Sequence, residues 1–154
     1  MSSKLYSAMT TAMGKPAMRP VTKVFSTAHA AAFRLTKGRA SNPKWPMMVL
    51  TVTGRKTGKK RNVPLVYQRD GNRFAVVAAY GGSDENPAWW LNLQKNPVAT
   101  ALVENSTITV EARQATEDER RRLWPALVDM YPYFAEYQEK TTRTIPVVIL
   151  TPRP

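Results

Sequence analysis

The stretch GRKTGKKR, residues 54–61, places five basic side chains and two glycines in eight residues, with no carboxylate among them. Glycine lets backbone N–H groups approach a ligand closely, and a neighbouring lysine or arginine donates charged hydrogen bonds to phosphate or carboxylate. The spacing is not that of a nucleoside-triphosphate loop, because three residues separate the glycines and Lys59 is followed by another lysine. The pattern predicts either an anion-binding site or a solvent-exposed hairpin loop.

A second stretch, AAYGGSDENPAWWLNL (residues 78–93), places two glycines ahead of a predicted helix. Asn86 is expected to cap this helix, with Pro87 at its first position. Backbone N–H groups at such a start can meet an anion or the polar edge of a ring. Trp89 and Trp90 supply broad apolar faces, which a ligand pocket and a protein core would use equally well.

A third stretch, MYPYFAEYQ (residues 130–138), carries four aromatic rings. Positions 130, 134 and 137, or 133 and 137, share one face of a helix, so several rings would line one wall. Aromatic walls suit a flat ligand. They also suit a core, and the two readings stay open at this point.

The composition excludes several kinds of catalytic site. Cysteine is absent and histidine occurs once, which removes thiolate nucleophiles, a Ser-His-Asp triad and the usual zinc ligand sets. No carboxylate pair marks an acid–base site, and no metal is expected. An enzyme of this composition would take its reactive group from a cofactor. A cofactor with phosphate, carboxylates and a flat ring would satisfy all three stretches together.

The basic residues are concentrated at one end of the chain. Of 154 residues with a net charge of +12, the first 61 carry thirteen Lys or Arg and no acidic residue, whereas the rest carry ten basic and eleven acidic residues. Such a segment suggests a membrane surface, a polyanionic ligand or an RNA as partner. Residues 20–37 show the apolar spacing of an amphipathic helix, which either packs on the domain or rests on anionic lipid.

The length suits one domain, here predicted over residues 41–154 behind a basic N-terminal arm over residues 1–40. No apolar run approaches the roughly 20 residues that span a bilayer, and no signal-peptide pattern begins the chain, so a cytoplasmic protein is expected.

The element pattern predicts about six short strands in hairpin order with inserted helices. The predicted strands are 47–53, 62–69, 73–80, 98–104, 106–115 and 145–151. One helix begins after Asn86 and ends at Asn96; another opens with the capping-box pair Thr116 and Glu119 and is kinked or broken at Pro125. A further helical turn follows in YFAEYQ. This order predicts an α+β, mainly β fold, a small and mostly antiparallel split barrel.

Three longer segments resemble the deazaflavin (F420)-dependent nitroreductase family of actinobacteria, which includes F420H2-dependent quinone reductases. They are TVTGRKTGKKRNVPLVY, VVAAYGGSDENPAWWLNLQKNP and RLWPALVDMYPYFAEYQEKTTRTIPVVILTP, so the resemblance covers about Lys44 to Pro152. It implies a split β-barrel that binds reduced F420, a deazaflavin with a phospholactyl and oligoglutamate tail. It also implies hydride transfer to quinones, nitroimidazoles or other electron-poor conjugated acceptors.

The resemblance assigns roles by position. Loop residues would hold the phosphate and the carboxylate tail: Arg55, Lys56, Thr57, Arg61 and Asn62. Residues of two strands would border the ring: Val63, Pro64, Leu65, Val66, Val77, Ala78, Ala79 and Tyr80. The start of the Trp helix would complete the cofactor site with Ala88, Trp89, Trp90, Leu91 and Asn92. Tyr131, Phe134 and Tyr137 would close over the substrate, with either tyrosine as proton donor.

The sequence departs from the family pattern in the expected substrate pocket. Phe134 stands where tyrosine is typical, Val66 replaces another aromatic hydroxyl, and Ala79-Tyr80 replaces a Ser-Lys pair. These changes remove donors that would orient a nitro group, so quinones or conjugated carbonyls are favoured over nitroimidazoles.

The alternatives to a reductase are a non-catalytic nucleic-acid or anion-binding module and a carrier of deazaflavin or ordinary flavin. Both a monomer and a homodimer agree with the sequence.

Overall fold

The computed structural model describes residues 45–154, which form a seven-stranded sheet and three helices. The strands are β1 (Met47–Thr53), β2 (Lys60–Val66), β3 (Gln68–Asp70), β4 (Arg73–Val77), β5 (Val98–Val103), β6 (Ser106–Gln114) and β7 (Val147–Pro152). The helices are α1 (Ala88–Lys95), α2 (Glu117–Met130) and α3 (Tyr133–Glu139), and a 3-10 turn spans Tyr80–Gly82. The basic arm predicted over residues 1–40, with its amphipathic helix, lies outside the described residues.

The two edge strands of the sheet belong to one continuous segment of chain. The order is β2-β1-β5-β6-β7-β4-β3, and every neighbouring pair is antiparallel. Only Tyr67 separates β2 from β3, and its N–H donates to the Pro46 carbonyl at 3.0 Å. Because one bent strand supplies both edges, the sheet curls round on itself. The prediction of a small antiparallel barrel is confirmed.

Residue alternation along the strands divides the apolar side chains between two cores. Met48, Leu50 and Val52 of β1 point into the curled sheet, where they pack with Trp90 and Leu93 of α1. The second core lies between the outer face of β4 and β7 and the helices α2 and α3. This outer core holds the aromatic residues of the third stretch.

Helix α2 begins as the sequence predicts, but it is not interrupted at Pro125. The predicted capping box is present: the Glu119 N–H donates to Thr116 Oγ1 at 3.2 Å, and the Thr116 N–H donates to Glu119 Oε1 at 3.0 Å. The sequence predicts a kink or a break at Pro125; the break is wrong, since the helix continues through it to Met130, and the kink stays a prediction. Pro125 is exposed, so water can satisfy the carbonyl that loses its helical partner.

The predicted cap of α1 is also wrong. Pro87 is the N-cap residue and helix α1 begins at Ala88. Asn86 does not cap the helix, because its Oδ1 accepts a hydrogen bond from Arg143 Nη1 at 2.9 Å. The predicted end of α1 at Asn96 is confirmed.

Two strand predictions need correction. The run 62–69 is not one strand, since Tyr67 divides it where the chain passes from one edge of the sheet to the other. The run 73–80 stops at Val77, because Tyr80 adopts a left-handed backbone with φ of 48°. Among residues 45–154, no helix is long and apolar enough to cross a membrane.

Candidate functional site

The loop between β1 and β2 has a defined shape. The Gly54 N–H donates to the Lys59 carbonyl at 2.8 Å, and the Gly58 N–H donates to the Gly54 carbonyl at 2.8 Å. Gly58 has φ of 72°, which a residue with a side chain rarely adopts. The loop is therefore a closed turn with a defined backbone path.

Asn92 of α1 anchors this loop. Its Oδ1 accepts from the Arg55 backbone N–H at 3.1 Å and from Arg55 Nη1 at 2.9 Å. Asn92 is 6% exposed, so both bonds lie largely out of water. The first and second stretches thus form one structural unit, although 37 residues separate the two partners.

The remaining cations of the loop face solvent. Lys56, Lys59 and Arg61 are exposed, and none of them takes part in an ion pair within residues 45–154. Lys60 Nζ donates to Thr53 Oγ1 at 2.9 Å. Cations that lack a carboxylate partner create a local positive potential, which attracts phosphate and carboxylate groups.

The cations elsewhere in the described part of the chain contrast with the loop. Six arginines form ion pairs with carboxylates: Arg69, Arg73, Arg113, Arg121, Arg122 and Arg153. Arg120 and Arg143 bond to neutral oxygens instead, and Lys95 is exposed on α1. Within residues 45–154, the loop is therefore the largest group of cations without a carboxylate partner.

Strand β2 presents its predicted site residues on two faces. Val63 and Leu65 pack against the core inside the sheet, whereas Val66 packs against the outer core. Asn62 accepts a hydrogen bond from Thr51 Oγ1 on β1 at 2.7 Å. Because successive strand residues alternate between faces, Asn62 and Pro64 share the face of Val66.

The end of β4 continues that outer face. Val77 and Ala79 pack against the outer core and Ala78 against the inner one. Tyr80, Gly81 and Gly82 then have φ of 48°, 63° and 84°, so the chain turns sharply before α1.

An arginine that the sequence analysis missed holds this turn. Arg143 Nε donates to the Ser83 carbonyl at 2.8 Å, and its Nη2 donates to the carbonyls of Ala79 and Ala78 at 3.0 and 3.2 Å. Burial lowers the pKa of Arg143, with Asp84 opposing that shift. No local pattern marks one arginine in the segment TTRTIP as a partner of a turn about 60 residues earlier.

Helix α1 supplies the other predicted cofactor residues. Trp90 is buried in the inner core, Trp89 and Leu91 are half-buried, and Ala88 is exposed. Trp90 therefore fixes the helix on the sheet, while Ala88 and part of Trp89 are the accessible groups.

The aromatic residues of the third stretch are buried together. Tyr131, Phe134 and Tyr137 are 3%, 6% and 3% exposed. The ring centroids of Tyr131 and Phe134 lie 4.7 Å apart, and Trp45 meets Tyr131 edge-on at 5.2 Å. The same core includes Val77 and Ala79, with Val66 packed against it. The predicted substrate residues thus adjoin the predicted ring-binding strands through shared packing.

The groups that the site offers to a ligand are therefore exposed cations and apolar side chains. No group of three His, Cys, Asp or Glu side chains within residues 45–154 is placed to hold a metal ion.

Comparison with known proteins gives consistent matches. The family model described as F420H(2)-dependent quinone reductase matches residues 25–152. The Mycobacterium tuberculosis protein Rv3178, whose name places it among F420H(2)-dependent quinone reductases, is 44% identical over 108 residues, covering 70% of this chain and 91% of that protein. The F420H(2)-dependent quinone reductase Rv1261c of the same organism is 35% identical over 131 residues, covering 81% and 88%.

Solved structures agree. The structure of an F420-H2 dependent reductase, FDR-A, has a TM-score of 0.63 at 39% identity and covers 68% of this chain and 93% of its own. A second structure, described as a domain-swapped dimer, has a TM-score of 0.65 at 33% identity and covers 85% and 98%.

Proposed function

Because the chain belongs to the F420H(2)-dependent quinone reductase family, we propose that it binds reduced F420 against loop 54–61, the outer face of β2 and the start of helix α1, and that it reduces a quinone. Membership makes it an oxidoreductase that depends on this cofactor. The acceptor and the residues that serve each step are the proposed parts.

The observation that carries the proposal is the joining of a cationic loop to the Trp helix by Arg55 and Asn92. A cofactor with an anionic tail and a flat ring needs both a cationic and an apolar surface, held in a fixed relation. The residues present fit this need. Lys56 and Arg61 are free to bind phosphate and carboxylates, and Arg55 is already oriented by its bonds to Asn92.

We assign the ring to the outward face of β2 and the end of β4. Pro64 and Val66 are half-buried there and would contact a planar ring and exclude water from it, while Val77 and Ala79 are buried in the adjoining core. When bound, the reduced cofactor supplies a hydride from C5. The protein's part in the reaction is to hold donor and acceptor close and correctly oriented.

On the substrate side, we assign Tyr131, Phe134 and Tyr137 to the wall of the acceptor pocket. Because these side chains are 3%, 6% and 3% exposed in the outer core, the assignment requires α3 to move outward when the acceptor binds. The hydroxyl of Tyr131 or Tyr137 would donate the proton that accompanies the hydride. Phe134, Val66 and Ala79 have no side-chain donor, so this wall suits a quinone or conjugated carbonyl better than a nitro group that needs orienting.

The basic N-terminal segment supports a second, separable proposal of peripheral contact with an anionic membrane on the cytoplasmic side. It rests on the thirteen cations of residues 1–61, five of which lie in the loop. Deleting residues 1–37 should lower co-sedimentation with vesicles rich in anionic lipid. Unchanged co-sedimentation would remove this proposal and leave the cofactor site untouched.

Equilibrium binding tests the cofactor assignment. Titration of the protein with F420, followed by cofactor fluorescence, should give saturable binding at micromolar concentration that weakens as salt is added. Absence of binding would refute the assignment. Binding without turnover of a quinone would identify a carrier instead. A nucleic-acid-binding module would bind oligonucleotides and not F420. The structure argues against such a module, because six arginines outside the loop are paired with carboxylates and are not available to phosphates.

A further inference from the structure

Among residues 45–154, the guanidinium of Arg143 bonds only to neutral oxygens of the segment between β4 and α1. Its four partners are the carbonyls of Ala78, Ala79 and Ser83 and the Oδ1 of Asn86, at 2.8–3.2 Å. These bonds reach both ends of the connection, from the two residues that follow β4 to Asn86, which precedes the helix cap. One planar side chain therefore fixes the path of the whole segment.

The segment that Arg143 binds is strained. Tyr80 has a side chain and a positive φ of 48°, a left-handed backbone conformation that is strained for a residue other than glycine. Gly82, with φ of 84°, lies so close to α3 that an added Cβ would be 2.8 Å from the Tyr137 carbonyl. Strained residues persist only where surrounding contacts determine them, and the bonds to the carbonyls of Ala78 and Ala79 act directly before Tyr80.

Arg143 is itself held by helices α2 and α3. Gln138 Nε2 donates to the Arg143 carbonyl at 2.7 Å, and Gln138 Oε1 accepts from the Ile145 N–H at 2.9 Å. Arg120 of α2 also donates to Gln138 Oε1, at 3.1 Å. The helix that carries Phe134 and Tyr137 is thereby connected through Arg143 to the turn that leads into the Trp helix.

We infer that Arg143 is a positioning residue that holds turn 78–86 in its strained form against the aromatic helix α3 and so sets the position of helix α1, with its cofactor-binding residues. This inference rests on the proposed function. Lysine would not replace Arg143. The planar guanidinium donates to the four oxygens from three separate nitrogens, whereas lysine has a single ammonium nitrogen that cannot reach all four.

The test compares Arg143→Ala and Arg143→Lys with the matched control Arg121→Ala, whose side chain is 71% exposed on α2. All proteins are measured below the melting temperature of the least stable variant. Both Arg143 variants should bind F420 at least tenfold more weakly, and amide hydrogen exchange over residues 79–87 should accelerate. Millimolar guanidinium ion, but not equal sodium chloride, should restore affinity to Arg143→Ala in a saturable manner. The control should behave as the wild type does.

Unchanged F420 affinity with unchanged exchange over residues 79–87 would overturn the inference. So would a loss of affinity that guanidinium does not rescue and that is accompanied by faster exchange across the whole sheet, because that result would describe general destabilisation. If wild-type protein binds no F420, the proposed function fails. The role of Arg143 in the turn is then still tested by whether amide hydrogen exchange over residues 79–87 accelerates in Arg143→Ala and slows again when guanidinium is added.

Discussion

Asn92 accepts two hydrogen bonds from Arg55, one from its backbone and one from its guanidinium, on a single buried amide oxygen. The pair joins the basic hairpin loop to the Trp helix. Its geometry gives Asn92 an anchoring role, with Arg55 as the residue offered to an anion. The first two predictions separate these roles.

Replacing Asn92 with leucine, which has a similar volume, removes both acceptor bonds. We expect F420 affinity to fall by about 1.5–3 kcal/mol, the usual range for a hydrogen bond to a charged group. Fluorescence titration measures the change. Gln94→Ala, on the exposed face of the same helix, serves as the control and should leave affinity unchanged. Wild-type affinity in Asn92→Leu would show that the loop needs no anchor.

The double variant Arg55→Ala and Arg61→Ala should weaken F420 binding by several kcal/mol, at about 1.5–3 kcal/mol for each charged hydrogen bond lost. The loss should depend on the ligand's anionic tail. A deazaflavin without phosphate or glutamates should bind the variant and the wild type equally, since it has nothing for these cations to hold. An equal loss of affinity for both ligands would show that the two arginines contact the ring and not the tail.

Glu119 should make the stability of the fold sensitive to acid. Bidentate hydrogen bonds from Arg113, with a further bond from the Thr116 N–H, hold the pKa of the Glu119 carboxyl well below its ordinary value of 4.5. A depressed folded-state pKa contributes stability above pH 4.5 and loses it as the pH falls further. Glu119→Gln should therefore lower the free energy of unfolding by about 1 kcal/mol at pH 7, because glutamine still accepts from the Thr116 N–H but no longer forms the ion pair with Arg113.

The difference in the free energy of unfolding between wild type and Glu119→Gln should become smaller as the pH falls below about 4.5. Urea titrations at pH 7 and pH 3 measure it, and Glu117→Gln is the control because that side chain, two residues earlier in the same helix, is 90% exposed. A gap of constant size at both pH values would contradict the assignment to the carboxylate.

Two glycine substitutions distinguish backbone strain from close packing. Gly58 and Gly82 both have positive φ, but an added Cβ at Gly58 has no atom within 4 Å, whereas at Gly82 it meets the Tyr137 carbonyl at 2.8 Å. Gly58→Ala should cost about 1–2 kcal/mol from conformation alone. Gly82→Ala should cost about 1–3 kcal/mol more, since α3 must move. Thermal unfolding provides both values, and equal losses would argue against a tight contact at Gly82.

The parts of this fold that local sequence determines were predictable. Thr116 and Glu119 are three residues apart and form their capping box within one helical turn. The split of one strand at Tyr67 was not predictable, because it depends on β1 and β4 holding opposite ends of that segment. Asn86 failed as a cap for a related reason: Arg143, 57 residues later, takes its side-chain oxygen.

The candidate site shows the same division. The basic loop and the Trp helix stand out as patterns, and the family resemblance supplied their roles. The anchoring of Arg55 by Asn92 and the hold of Arg143 on the turn arise from tertiary contacts that no short spacing encodes.

Steady-state turnover tests the central claim most directly. Purified full-length protein is mixed with F420H2 and menadione, and the loss of the reduced cofactor's absorbance is followed against samples without protein and without menadione. We predict protein-dependent oxidation that needs menadione and is strongly reduced in the Arg55→Ala and Arg61→Ala double variant. Oxidation at the protein-free rate, in protein that is folded by circular dichroism, would contradict the proposed quinone reductase activity.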